Sequence, residues 1–328
     1  MSVLNFASPH VTHAVRVPCS TSNLGPGFDL LGLALSLWLD VRVTPLLSPQ
    51  NEGHTLSLGD DFTSHWPLQE NLVVRAFDAV FAASGLIAPA CHFAVQSQIP
   101  VARGLGSSGA AVAAGLLLAR HMIEANPTQP IHVSMETIHG IGIEIEGHPD
   151  NVTASLFGGC TLCLPAVTSG IGQHPIGLVH SPLSSSLGFS VAWTDAKLTT
   201  DEARSCLPQS VTFEDAVENP RRLAMLLEGL RTGDAKLLAL GAEDRLHHRF
   251  RLPLIPGGDQ ALQAANEAGA WMVAINGSGS SLLAIGPIPR AEALAKIMAK
   301  TLHEFAPNAV AYTLDAVHGA PKVTSTPA

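Results

Sequence analysis

The clearest rhythm in the chain runs through residues 33–43. Leu33, Leu35, Leu37, Leu39, Val41 and Val43 alternate with Ala34, Ser36, Trp38, Asp40 and Arg42. A period of two predicts a strand with one buried face. Residues 14–18 read as a strand leading into a Gly/Pro/Asn loop over 20–29. Leu72, Val73, Ala76, Phe77, Val80 and Phe81 return at helical spacing, and Gly85 ends that helix. Residues 93–99 alternate again and stop at Pro100. A helix of small residues follows over 110–123, where Ala113, Ala114 and Gly115 permit close approach of another backbone. A further helix over 134–145 runs into Glu146-Gly147-His148-Pro149-Asp150-Asn151, and Gly158-Gly159 opens the next strand.

The second half has a different order. Residues 187–193 read as a strand and residues 213–249 as helices broken at Gly233-Asp234. Residues 271–275 and 282–285 read as strands joined by the turn Asn276-Gly277-Ser278-Gly279-Ser280. A helix over 290–305 and a strand over 309–314 complete a β-α-β-β-α-β series, the split βαβ arrangement. Pro165, Ser169-Gly170 and Pro182 interrupt regular structure between the halves. The expectation is an α+β protein of two domains, residues 1–170 and 171–328.

Composition narrows the setting. Of 328 residues, 46% are hydrophobic and 14% charged, enough apolar surface for folded domains. Apolar runs break well short of the ~20 residues of a membrane span. Residues 1–10 carry no secretion pattern, so a cytoplasmic protein with no membrane partner is expected. The net charge of −9, without a Lys/Arg cluster, argues against nucleic acid. All five lysines (Lys197, Lys236, Lys296, Lys300 and Lys322) lie in the second half. An anion site in the first half must then use arginine and backbone N–H groups. Five cysteines make an odd count, and Cys160-Thr161-Leu162-Cys163 sits in an apolar run without a second pair. Core packing is the expected role of that C-x-x-C.

Candidate chemistry begins at Gly104-Leu105-Gly106-Ser107-Ser108. A glycine turn feeding a helix N-terminus offers unobstructed N–H donors and a positive end to phosphate. The two serines add hydroxyls for phosphate or Mg²⁺, and Arg103 adds a charge. A simple helix cap would look the same. The Walker lysine is absent, so the loop is not a P-loop. Gly104, Gly106 and Gly109 also spell G-x-G-x-x-G, with Glu124 twenty residues beyond the first glycine. That fingerprint of an NAD-dependent oxidoreductase needs a strand just before the loop and a second strand after the helix. Pro100-Val101-Ala102-Arg103 intervenes instead, and no second strand follows.

Three segments together resemble the GHMP kinases: residues 18–29, residues 100–110 and the turn at 276–281. Within that family the chain looks most like the homoserine kinases. The signs are Asn23-Leu24-Gly25-Pro26-Gly27-Phe28-Asp29, residues 146–151, Asp201-Glu202-Ala203-Arg204 with Leu207-Pro208, and Asp244-Arg245-Leu246-His247 with Arg251. Gly109 stands where Ala is commoner, and the 276–280 turn is a variant. The resemblance implies a two-domain GHMP kinase fold. Its first domain would be ribosomal protein S5 domain 2-like and its second ferredoxin-like. It further implies phosphoryl transfer from ATP with Mg²⁺ to the side-chain hydroxyl of L-homoserine, a step toward threonine. A homodimer is common among similar enzymes and stays open here.

The resemblance also suggests roles. Nucleotide binding falls to Asn71 and to Pro100, Val101, Ala102, Arg103, Gly104, Leu105, Gly106, Ser107, Ser108, Gly109 and Ala110. Ser108 and Glu146 are the expected Mg²⁺ ligands, both hard oxygen donors. A zwitterionic substrate needs an anion clamp, which Arg204 and Arg251 can form because a guanidinium pairs with carboxylate in bidentate fashion. Asn23, Asp29 and His148 are candidates for the ammonium and hydroxyl. Among the catalytic candidates Glu146, Asp150 and Asn151, Asp150 is expected mainly to organise its loop, since phosphoryl transfer tolerates the absence of a base. The remaining readings are a GHMP kinase for mevalonate, a sugar or shikimate, and a non-catalytic binding protein of the same fold.

Overall fold

The strand read from alternation is longer than expected and is the spine of the first domain. The computed structural model describes residues 2–3, 11–46, 53–59, 67–126, 130–169, 172–174 and 176–327. Most of residues 1–10, and Gly170 of the expected boundary, lie outside them. Strand Gly27–Pro45 pairs antiparallel with strand Val11–Asn23, with Val15 opposite Val41 and Val17 opposite Leu39. Leu33, Leu35, Leu37, Leu39, Val41 and Val43 are all buried, as the period of two requires. On the solvent side Arg16 and Asp40 face each other across the pair and form a two-bond ion pair. The loop expected over 20–29 is instead a tight turn between two long strands.

Strand Gly27–Pro45 also pairs with strands Cys91–Ser97 and Cys160–Leu164. The sheet extends to strand Gly177–Ser181 on one side and to strand Thr324–Pro327 on the other. A cut at residue 170 would therefore leave two strands of the first sheet in the second half. The C-terminal strand carries no apolar alternation, and only its tertiary partner reveals it.

Among the described residues four helices cover this sheet. Helix α1 (Leu72–Ala83) starts at Asn71, whose side-chain oxygen accepts from the N–H groups of Val73 and Val74. Helix α2 (Ser107–Glu124) begins three residues earlier than its apolar pattern suggested. It is buried on most sides, which explains its small residues: a Cβ on Gly115 would run into the carbonyl of Val73 in α1. Helix α3 (Met135–Glu146) is capped by Ser134 and ends at Gly147 with φ of 75°. Helix α4 (Asp150–Phe157) follows at once. Cys160 and Cys163 are buried in their strand, and burial pushes the Cys160 thiol up to about 12. That suits packing rather than redox work.

The second sheet has the order Met272–Ile275, Leu282–Pro287, Leu187–Trp193, Val310–Leu314, with every neighbouring pair antiparallel. This is the strand order of a ferredoxin-like domain, but its crossover helix is not the one expected. Helix α5 (Thr200–Ser205), α6 (Phe213–Thr232), α7 (Ala235–Gly241) and α8 (His248–Arg251) come first. The crossover is α9 (Gly258–Glu267), which the sequence reading missed, and it packs beside α10 (Ala291–His303). Alternation explains the two faces. Ala192, Ile275, Leu282 and Ala284 face α9 and α10, whereas Val191, Ala274, Leu283 and Ile285 join the core that holds Leu226, Leu230 and Leu238 of α6 and α7. Among the described residues no helix is long and apolar enough to cross a membrane.

Candidate active site

The site lies where the two halves are stitched together. Gly104 has a φ of 75°, and a Cβ there would collide with the carbonyl of Asn276. The 276–281 turn thus sits directly on the glycine loop. Arg103 secures this contact from the loop side. Its guanidinium donates to the carbonyls of Val101, Ala102, Thr194 and Asp195, so it acts as a staple and not as a phosphate ligand. Its own carbonyl accepts from the N–H and hydroxyl of Ser281. Asn23 secures the turn from the other side. Its side-chain nitrogen donates to Gly277 at 2.9 Å and its oxygen accepts from the Asp29 N–H at 3.1 Å.

Gly106 caps α2 with a φ of 65°, and a Cβ there would strike Ser20 Oγ. This brings the N-terminus of α2, with Ser107 and Ser108, onto the end of the first strand. Asn151 packs behind it: its side chain bonds Ser20 and Ser22, leaving the amide committed to structure. A Cβ on Gly109 would crowd Asn151, Leu105 and Ala110 are core residues, and Pro100 lies off the cavity. Of the expected loop contacts, Val101, Ala102, Gly104, Gly106, Ser107 and Ser108 line a polar cavity of about 240 Å³.

Asn23, Asp29, His148, Arg204 and Arg251 line that same cavity together with Asp150 and Asn151, so the five expected substrate residues converge. Asp29 and Arg204 pair through two bonds, at 3.0 and 2.7 Å. Arg251 is almost fully buried; its Nε donates to the Ala203 carbonyl, and burial, with Arg204 nearby, lowers its pKa. His148 Nδ1 lies 2.9 Å from Asp150 Oδ1, which also accepts the Asn151 N–H. Burial alone would lower the His148 pKa, but its bond to Asp150 and the charges of Asp150 and Glu146 raise it overall. Leu198, Thr199, Thr200, Ser22 and Ser278 also line the cavity and escaped the sequence reading. Thr199 had a readable signal, since it forms a capping box with Glu202 that starts α5 and aims Arg204.

A second cavity of about 440 Å³ adjoins the first through Val101, Ser107 and Ser108. Leu39, Leu72, Val73, Val95 and Ala111 make it mainly apolar, and Asn71 and Ser97 add polar edges. An apolar slot opening onto a polar, helix-capped one has the shape of a site for a base joined to phosphates.

The Mg²⁺ expectation can be tested on the donors. Ser108 Oγ donates to Glu146 Oε2 at 3.0 Å beside the loop. Burial raises the Glu146 pKa; His148 and the Ser108 bond oppose this only in part. A partly buried carboxylate with a hydroxyl donor and a frustrated charge fits a hard divalent cation. Ser108 and Glu146 would hold it.

A glycine loop on a helix N-terminus, an adjoining apolar slot and an amino-acid-sized polar cavity agree with the GHMP kinase resemblance of the sequence. The family description "GHMP kinases N terminal domain" matches residues 71–159. The homoserine kinase of Synechococcus sp. (strain CC9605) is 40% identical over 286 residues, covering 87% of each chain. That of Prochlorococcus marinus (strain MIT 9303) is 39% identical over 286 residues, with the same coverage. The crystal structure of homoserine kinase from Cytophaga hutchinsonii superposes with a TM-score of 0.82 at 25% identity, covering 98% of this chain and 100% of that one. The chain belongs to the homoserine kinase family.

Proposed function

We propose that the protein transfers the γ-phosphoryl group of ATP to the side-chain hydroxyl of L-homoserine, giving O-phospho-L-homoserine and ADP, a step toward threonine. The convergence of Asp29, Arg204 and Arg251 on the cavity of the phosphate loop carries this reading. A zwitterionic amino acid offers an ammonium to Asp29 and a carboxylate to the arginines. Its hydroxyl then extends toward the N–H groups of Gly106, Ser107 and Ser108. Adenosine fits the slot beside Asn71.

Mg²⁺, bound by Ser108, Glu146 and the phosphates, would neutralise charge on the transferred group. The chain itself contributes position: α2 presents N–H groups to the phosphates, and the clamp fixes the hydroxyl. His148 and Asp150 would flank that hydroxyl, with Asp150 holding the loop by accepting the Asn151 N–H beside His148. The hydroxyl proton leaves late in such a transfer, so no strong base is required. A homodimer and a cytoplasmic setting, where ATP is available, complete the proposal.

ADP release with Mg-ATP, measured against homoserine, mevalonate, galactose and shikimate, tests it. Homoserine should be the efficient acceptor. Turnover of another alcohol without response to homoserine would overturn the substrate and leave the family intact.

A further inference from the structure

The carboxylate clamp presents a physical problem. Arg204 and Arg251 carry like charge, face one small cavity and come from separate helices, α5 and α8. Arg251 feels Arg204 as a repulsive neighbour. Asp29 pairs with Arg204 and its charge, like that of Asp150, also favours the Arg251 cation, while the bonds of Arg251 run to neutral groups: the carbonyls of Ala203 and Gly277 and the ring of His247. The direct bonds of Asp29 nevertheless reach only one of the two guanidiniums.

The Phe28 ring meets both. The Arg204 guanidinium carbon is 5.5 Å from the centre of the Phe28 ring, and that of Arg251 is 5.1 Å away. A ring with a negative face attracts both cations and offers neither a hydrogen bond. The ring is itself fixed. His247 lies against it at 5.2 Å with a tilt of 30°. His247 is fully buried, and its Nε2 lies 2.8 Å from the Gly25 carbonyl while Nδ1 meets Arg251. A neutral imidazole donating from Nε2 and accepting at Nδ1 satisfies both bonds, and burial favours that neutral form. Asn219 of α6 takes the next carbonyl, that of Pro26. The turn before Phe28 is therefore held from two helices of the second half.

We propose that Phe28 is a specificity-determining positioning residue. Its ring, braced by His247, sets the spacing of Arg204 and Arg251 and so selects a compact α-carboxylate. This inference rests on the amino-acid reading of the same cavity and adds to it the residue that shapes the clamp. Asp29, beside Phe28 in sequence, places a negative charge next to Arg204. The Phe28-Asp29 pair thus supplies both an aromatic and an ionic partner from one strand end.

The test compares wild type with Phe28→Leu, which keeps apolar volume and loses the ring, and Phe28→Tyr, which keeps it. Calorimetric binding of L-homoserine is measured alongside steady-state kinetics. Phe28→Leu should weaken homoserine binding and raise its KM about tenfold or more, with the KM for ATP within about twofold of wild type. Phe28→Tyr should stay near wild type in both. Unchanged homoserine affinity in Phe28→Leu would overturn the proposal, as would an equal loss for both substrates with a lower melting temperature, which marks a structural role. Wild type that binds homoserine without phosphorylating it would sink the kinase reading yet leave the clamp measurable by binding. Wild type that fails to bind homoserine would refute both.

Discussion

Asp29 holds Arg204 with both carboxylate oxygens, joining residues 175 positions apart at the mouth of the cavity. Each side chain keeps about a third of its surface exposed, 34% for Asp29 and 36% for Arg204. An ion pair so open to water contributes about 0–1 kcal/mol to stability. Its value is therefore positional. Asp29→Asn should leave the melting temperature nearly unchanged. The homoserine KM should rise about 10- to 100-fold, because a charge-assisted contact to the ammonium is lost. Steady-state kinetics with a thermal melt decide the point, and a large loss of stability would contradict it.

Glu146 shows the opposite balance. Burial raises its pKa, so folding penalises the charged carboxylate more than the neutral acid. The stability it contributes is present in acid and is lost as pH rises through the folded pKa. At pH 7 the ion-free protein carries a strained carboxylate. Glu146→Gln should accordingly raise the melting temperature of the free protein while lowering kcat by about a hundredfold or more. Added Mg-ATP should then stabilise wild type more than the variant. Melts with and without Mg-ATP, beside turnover assays, would expose any other pattern.

Asp150 bonds His148 and the Asn151 N–H, the contacts of a loop organiser. Asp150→Ala should keep turnover near wild type. A fall of roughly 10³-fold would assign it a proton-transfer or essential electrostatic role instead.

Ala111 lines the apolar slot beside Asn71. Filling that slot with Ala111→Leu should raise the KM for ATP at least about tenfold and leave homoserine binding intact, since overpacking acts where the volume is added. Titration of each substrate at saturating levels of the other separates the two effects.

Three histidines predict acid lability. Burial lowers the pKa of His13, His139 and His248 to about 4 in each case. His248 Nε2 accepts the N–H of Ile275, a bond that only the unprotonated nitrogen can make. Asp244 and Asp259 raise its pKa but do not offset burial, to which His247 and Arg251 add. A depressed folded pKa gives stability that is full above about 6.5 and lost as pH falls toward 4. Unfolding free energies from urea titrations should drop across that window by up to about 1.4 kcal/mol per pH unit for each histidine. Replacing His13 and His248 with Gln should flatten the slope.

Much of this was legible in the chain. Alternation over residues 33–43 found the central strand, because a half-buried strand must repeat every two residues. Asn71 and the Gly106-Ser107-Ser108 start of α2 were readable because caps are local. Arg103, Asn23 and Asn151 carry structural bonds that the sequence does not show, for one reason. Each is a polar residue in a ligand-like motif, yet the structure spends its hydrogen bonds on carbonyls and hydroxyls of distant segments. Helix α9 was missed because the helices over 213–249 filled the place of the crossover, and only packing against α10 tells which helix covers the sheet.

The sequence alone determined what local geometry demands: strand periods, helix starts, and glycines where φ is positive or another backbone presses close. It also supplied the motifs that marked a kinase. Tertiary structure decided which of those groups remain available to a ligand. Strand Thr324–Pro327 returns to the first sheet, Gly104 meets Asn276, and the Phe28 ring meets Arg204 and Arg251. Each relation joins positions more than 150 residues apart. The partner of a buried polar or aromatic group is set by the packing of the whole chain, which no local pattern encodes.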